Sequence, residues 1–373
     1  MTVPLQRAGA VLTIDVAAIA KNWRLLSARL GNAVCGAVVK ADAYGLGASR
    51  VAAALEAAGC DNFFVAHLEE GISLRRTLSA KTRVFVLNGT PWRTEAEFVM
   101  SGLIPVVNTL GELSAWQDHA RKLGRNLPVA LQLDCGIARL GLMPSEVSKI
   151  KNEPSRLDGL TVELVMSHLA CADDPCHPAN ESQRKEFERL RAMLPSVPAS
   201  LANSSGIFLG SPYHFDLGRP GAALYGINPT PARKNPMRPV VRLSARVIQI
   251  RDVPPGTGIG YGHTAVARRP THLATISLGY ADGWPRNAAA AAFYRGLRLP
   301  FAGRVSMDSI ILDITERALQ PREGEMVDLI CEEQTLDDIA RASGTIGYEI
   351  LTRLGQRFHR RYIDSDEELN RLA

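Results

Sequence analysis

Residues 33–47 read AVCGAVVKADAYGLG, a run of small and apolar residues that ends on Lys40. A buried ammonium is costly unless it is paired or neutralised. One escape is a Schiff base with an aldehyde. Taken alone, such a lysine can equally cap a strand or snorkel to the rim of the fold. Other reactive side chains recur at the same place, where an apolar run gives way to polar residues. Arg139 lies just past the run ending at Asp134, and His168 ends VELVMSH. Asn203 and Ser204 follow SLA, and Arg219 follows FDLG. Two of these junctions, ANSSGI (202–207) and RPGAALYG (219–226), are built of small residues whose amides can approach an anion closely. Tight turns use the same residues. A lysine facing a phosphate cradle describes a cofactor with both an aldehyde and a phosphate, pyridoxal 5'-phosphate.

Eight such apolar runs precede residue 222, ending near Lys40, Ala66, Leu87, Asn108, Asp134, His168, Ser204 and Arg219. Their unbroken Val, Ile, Leu and Ala content suits parallel strands buried on both faces. Helical patterns separate most of them, as in ASRVAAALEAAG and TLGELSAWQDHARKLG, with Thr109 and Asn180 as helix starts. Strand–helix repeats of this number predict an α/β fold, an N-terminal (β/α)8 TIM-type barrel over residues 1–240. A doubly wound open sheet is the alternative. In a barrel, active-site residues sit at the C-terminal ends of the strands, where the residues above fall. From residue 241 the pattern alternates with period two and is broken by turn prolines and glycines. This predicts a mostly β C-terminal domain over 241–373, with a helical insertion at TLDDIARASGTIGYEILTRLG.

The chain has 373 residues, 46% apolar and 22% charged, with a net charge of +5. The basic residues are scattered, which argues against nucleic acid or a polybasic membrane surface as partner. No apolar run is long enough for a membrane span. Asp15 interrupts the N-terminus before a signal-like core forms. Six widely spaced cysteines suit reduced thiols in a cytoplasm. SHLACADDPCHP gathers His168, Cys171, Cys176 and His177, but the spacing matches no common zinc pattern and reads as loop, so no metal is expected.

The motifs AVVKADAYGLG, LDCGIARLG, LGRPGAALYG, GIGYGHT, SLGYADGWPR, GRVSMD and TIGYEILTRLG occur in an order that resembles the bacterial alanine racemases, pyridoxal-phosphate enzymes of fold type III. The resemblance spans about residues 11–365. It implies that Lys40 carries the cofactor and is one base, and that Tyr261, reaching in from a partner subunit, is the other. It further implies that Tyr44, Asn203, Ser204, Gly221, Ala222 and Tyr348 hold the cofactor, the phosphate above all. Arg219 would face the pyridine nitrogen, with His168 in a network linking it to the tyrosine. Arg139 would contact cofactor and substrate, and Met307 would bind the substrate carboxylate. Tyr280, Arg286, Arg304 and Ile346 match an access corridor. The implied enzyme is a homodimer with shared sites that interconverts L- and D-alanine. The sequence departs from the family pattern at Leu46 (for histidine), Gln132 (for a carbamylated lysine), Ser306 (for cysteine) and RFHRRY at 357–362. Leu46 and Gln132 keep open a racemase of other amino acids, such as serine or lysine. A non-catalytic carrier of the cofactor is the remaining alternative, although carriers of this barrel lack the β domain.

Overall fold

The structure is a computed structural model that describes residues 3–287, 289–315 and 319–365. It divides into two compact units, Ile19–Arg238 and the pair Met1–Ala18 with Pro239–Ala373. The boundary at Arg238 lies two residues from the expected one. The N-terminal segment, expected in the barrel, belongs with the β unit instead. Its strand β1 (Ala10–Asp15) pairs antiparallel with Val241–Val253 and parallel with His359–Ile363. Residues 1–2 and 366–373, the outer ends of the two expected domains, lie outside the described residues.

In the first unit, strands β2 (Val34–Cys35) and β3 (Ala37–Val38) form one path interrupted at Gly36. They are followed by β4 (Asn62–Val65), β5 (Arg83–Val86), β6 (Ile104–Val107), β7 (Leu127–Gln132), β8 (Leu160–Met166), β9 (Ala199–Ser200) and β10 (Leu217–Gly218). β3 to β9 make a seven-stranded parallel sheet in sequence order, and β10 pairs parallel with β2. Backbone bonds close the ring. Gly36 donates to Gly218 and Val38 to Pro220, each at 2.9 Å, while Asp216 donates to Ala199 at 3.0 Å and Arg219 to Ala202 at 2.8 Å. The eight paths therefore form the barrel that the eight apolar runs predict.

The strands form because their residues can be buried on both faces. Every residue of β4 and β6 is buried. Phe64 stacks on Phe85 with ring centroids 4.8 Å apart, and each such side chain adds about 1.5–3 kcal/mol of burial free energy. The intervening helices obey ordinary caps. Thr109 accepts from the Glu112 amide at the start of Leu110–Leu123, and Gly124 ends that helix at φ 62°. The helix expected to start at Asn180 is Pro178–Arg191, capped by His177; Asn180 is buried and donates to the Asp174 oxygen at 2.9 Å.

The second unit is an eight-stranded sheet in which Val241–Val253 is the longest member. The insertion forms two short helices, Leu336–Ser343 and Gly347–Arg353. Among the described residues no helix is long and apolar enough to cross a membrane.

Candidate active site

Lys40 follows β3 directly and opens an unusual turn. Ala41, Asp42, Ala43 and Tyr44 all have φ between 52° and 56°. Left-handed backbone costs an L-residue roughly 1–2 kcal/mol each. The turn is held at both ends. Ala43 donates to the Val39 oxygen and Gly47 to the Asp42 oxygen, each at 2.9 Å, and Ala48 donates to the Asp42 carboxylate at 2.7 Å. Burial pushes the Lys40 amine below its ordinary range; Arg139 pushes the same way, and Glu70 opposes both.

The two small-residue loops, after the neighbouring strands β9 and β10, meet side by side at the barrel mouth. Ser204 Oγ accepts from the amides of Gly221 at 2.9 Å and Ala223 at 3.2 Å. Between them, the buried Ala222 amide finds no acceptor among the described residues. A buried N–H without a partner is rare and suits an external anion. A Cβ on Gly221 would sit 2.5 Å from Tyr44 Oη, so only glycine lets the tyrosine approach. Tyr44 packs on Tyr225 at 4.6 Å, and Tyr225 donates to the Val38 oxygen at 2.9 Å. Asn203 shapes its loop by accepting from the Gly206 amide at 2.9 Å.

Arg219 is 4% exposed. It donates to Ser200 Oγ and, at 2.5 Å, to the Ser167 oxygen. No carboxylate pairs with it among the described residues, and burial pulls its guanidinium down to about 9. His168, next to Ser167, is pushed down to about 3 by burial, then by Arg219, Arg139 and Lys40. It is therefore neutral near pH 7. Lys40, Arg139, His168 and Arg219 all follow the C-terminal ends of barrel strands, β3, β7, β8 and β10, and so share one mouth. Arg139 rides an exposed loop whose shape is set by Asp134, one oxygen of which accepts from Gly136, Ile137 and Ala138 at 2.9–3.2 Å. Gln132 is buried at the end of β7, and its side-chain amide makes no hydrogen bond among the described residues. Leu46 is fully buried.

In the β unit, Tyr261 opens a short turn and is 68% exposed. Gly260 and Gly262, both at φ 69°, flank it. Tyr280, Met307, Ile346 and Tyr348 are exposed in the same unit. The Met307 oxygen accepts from Ala281 at 3.0 Å and the Ser306 oxygen from Tyr280 at 3.1 Å, which holds the 280 turn on the 303–308 loop. The Met307 amide has no acceptor among the described residues.

The six cysteines are free thiols. Among the described residues no three His, Cys, Asp or Glu side chains gather as metal ligands. His177 instead caps its helix through Nδ1, 3.2 Å from the Ala179 amide. Glu70 is the functional-site neighbour that the sequence reading passes over. It lies thirty residues beyond Lys40 on an ordinary helix start, and the residue pattern gives no signal of the contact.

A TIM-type barrel with a mostly β C-terminal domain is the fold of a class of pyridoxal-phosphate enzymes, fold type III. Residues 14–229 match the family described as alanine racemase, N-terminal domain, and 240–362 match alanine racemase, C-terminal domain. The chain is 58% identical over 359 residues to a catabolic alanine racemase of Mesorhizobium japonicum, covering 95% of this chain and 94% of that one. It is 50% identical to a catabolic alanine racemase of Agrobacterium fabrum, covering 94% and 92%. The crystal structure of alanine racemase from Bartonella henselae, with covalently bound pyridoxal phosphate, superposes with a TM-score of 0.92 at 42% identity, covering 95% of this chain and all of that one. The chain belongs to the alanine racemase family. It is a pyridoxal-phosphate-dependent amino-acid racemase that acts on alanine.

Proposed function

We propose that the chain interconverts L- and D-alanine with two proton-transfer groups on opposite faces of the substrate, Lys40 and Tyr261 of the partner subunit. Inverting a stereocentre means taking a proton from one face and returning one to the other, which two fixed groups do without turning the substrate. Pyridoxal 5'-phosphate, when bound, supplies an electron sink that acidifies the substrate's α-hydrogen. The residues present fit it: Lys40 to hold its aldehyde carbon, and the Ser204, Gly221 and Ala222 loops with Tyr44 to hold its phosphate. Asn203 shapes one of those loops.

Burial lowers the Lys40 amine from its ordinary range, which eases release of its proton. Arg219, at about 9, stays charged at pH 7. It therefore offers hydrogen bonds to the ring nitrogen without surrendering a proton readily. His168, neutral, is free to accept a hydrogen bond from a tyrosine. Arg139, on the barrel, is a donor for the substrate carboxylate.

The observation that carries this reading is the convergence at one barrel mouth of Lys40, the Ser204–Gly221 cradle and Arg219. Incubating the pure protein with L-alanine tests it: D-alanine forms, and its absence despite bound cofactor rejects the assignment. The exposure of Tyr261, Tyr280, Met307, Ile346 and Tyr348 supports a face completed by a second copy, so the active form is a homodimer. A fully active monomer by light scattering would contradict that. The reduced cysteines suit the cytoplasm. The catabolic names of the two relatives support a degradative role, tested by growth of a deletion strain on alanine as carbon source. The unpartnered Gln132 amide favours a second reading, a broader substrate range. The ratio of kcat/KM for alanine to that for serine and lysine decides it.

A further inference from the structure

The carboxylate of Glu70 performs two tasks at once. Glu70 sits in the first turn of helix Leu68–Arg75. Its Oε2 accepts from the amides of Ala66 at 2.7 Å and His67 at 3.1 Å, which is an ordinary helix cap. Its Oε1 turns away from that helix and accepts from the Ala41 amide at 2.7 Å. Ala41 is the residue after Lys40 and the first of the four left-handed residues. The bond joins the loop after β3 to the loop after β4.

Four consecutive non-glycine residues in the left-handed region are unfavourable by several kcal/mol, roughly, so the turn persists only if its surroundings over-determine it. Ala43, Gly47 and Ala48 bond within the turn or its flanks. Ala41 is tied from outside the turn by a charged acceptor, and charge-assisted bonds are roughly twice as strong as neutral ones. The charged groups that act on the Lys40 amine are Glu70 and Arg139, and the neutral His168 shares their mouth. Glu70 is the single anion among them.

We propose that Glu70 is a positioning residue for Lys40: its carboxylate, held on the Ala41 amide, locks the left-handed turn that orients the lysine and sets a negative charge beside it. This rests on Lys40 being the reactive amine, yet both readouts below are independent of turnover, so the two ideas fail separately.

Three variants divide the roles. Glu70→Asp keeps the charge but is too short to reach Ala41; Glu70→Gln keeps the length but loses the charge; Glu70→Ala loses both. Hydrogen exchange of the full chain reads the lock. Protection of the peptide spanning 39–47 should fall about tenfold in the Asp and Ala variants. Acylation of Lys40 by acetic anhydride after cofactor removal, followed by mass mapping across pH, reads the charge. Its midpoint should fall by about half a pH unit or more in the Gln and Ala variants and stay near wild type in Asp. If the Ala variant fails to fold, the Asp and Gln pair still separates the effects. Unchanged exchange in Glu70→Asp together with an unchanged midpoint in Glu70→Gln would overturn the inference.

Discussion

Arg219 donates at 2.5 Å to the backbone oxygen of Ser167, one residue before His168, and after burial its charge is the largest influence on that imidazole. The cation thus both anchors the end of β8 and keeps the neighbouring histidine neutral. In the folded chain His168 titrates at about 3, against 6.5 ordinarily. Between those values the unfolded chain binds the extra proton, so this group lowers stability as pH falls from about 6.5 toward 3. A His168→Asn chain lacks that proton site. Its Tm should decline less steeply than wild type between about pH 6.5 and 4 in calorimetric scans, and parallel curves would count against a neutral His168.

Replacing Arg219 by glutamine strips donors from the Ser167 oxygen and Ser200 Oγ. Unpaired buried acceptors cost about 1–3 kcal/mol, which urea unfolding would register. Arg219→Glu instead offers an acid where the ring nitrogen would sit. The yield of keto-acid by-product per D-alanine should rise, and an unchanged ratio would remove the reason for an arginine at this position.

Tyr261→Phe removes one phenolic oxygen from an exposed turn, and that oxygen makes no hydrogen bond among the described residues. Cofactor absorbance should persist while turnover of L-alanine falls by about 10²–10⁴. Turnover within a few-fold of wild type would exclude Tyr261 as the second base.

Gly221 is constrained by shape, because its absent Cβ would lie 2.5 Å from Tyr44 Oη. Gly221→Ala should weaken cofactor binding about tenfold or more, measured by equilibrium dialysis. Adding Tyr44→Phe removes the colliding atom and should recover part of the loss. Additive losses in the double variant would mean the contact is not the cause.

The barrel was legible because each strand is an apolar run ending on a polar residue, and the count of such runs fixes the ring. β1 was not. AVLTID looks like any other apolar run, and its partners lie more than two hundred residues away, at Val241–Val253 and His359–Ile363. Lys40, Ser204 and Arg219 stood out as reactive groups where apolar runs end. The backbone beneath them did not: Ala41, Asp42, Ala43 and Tyr44 are not residues that announce positive φ, and only Gly45 and Gly47 hint at a sharp turn. Glu70 was hidden for a related reason. Its helix-capping role explains it fully within the local sequence, and the bond to Ala41 exists only once β3 and β4 lie side by side.

Every role proposed above turns on Lys40 as the residue that holds the cofactor. Sodium borohydride treatment of the holoenzyme, followed by proteolysis and mass mapping, tests this directly. The expected result is loss of the visible cofactor band and a reduced pyridoxyl phosphate group on the peptide containing Lys40, with Lys40→Ala giving no labelled peptide. A label on a different lysine, or cofactor that dialyses away after reduction, would contradict it.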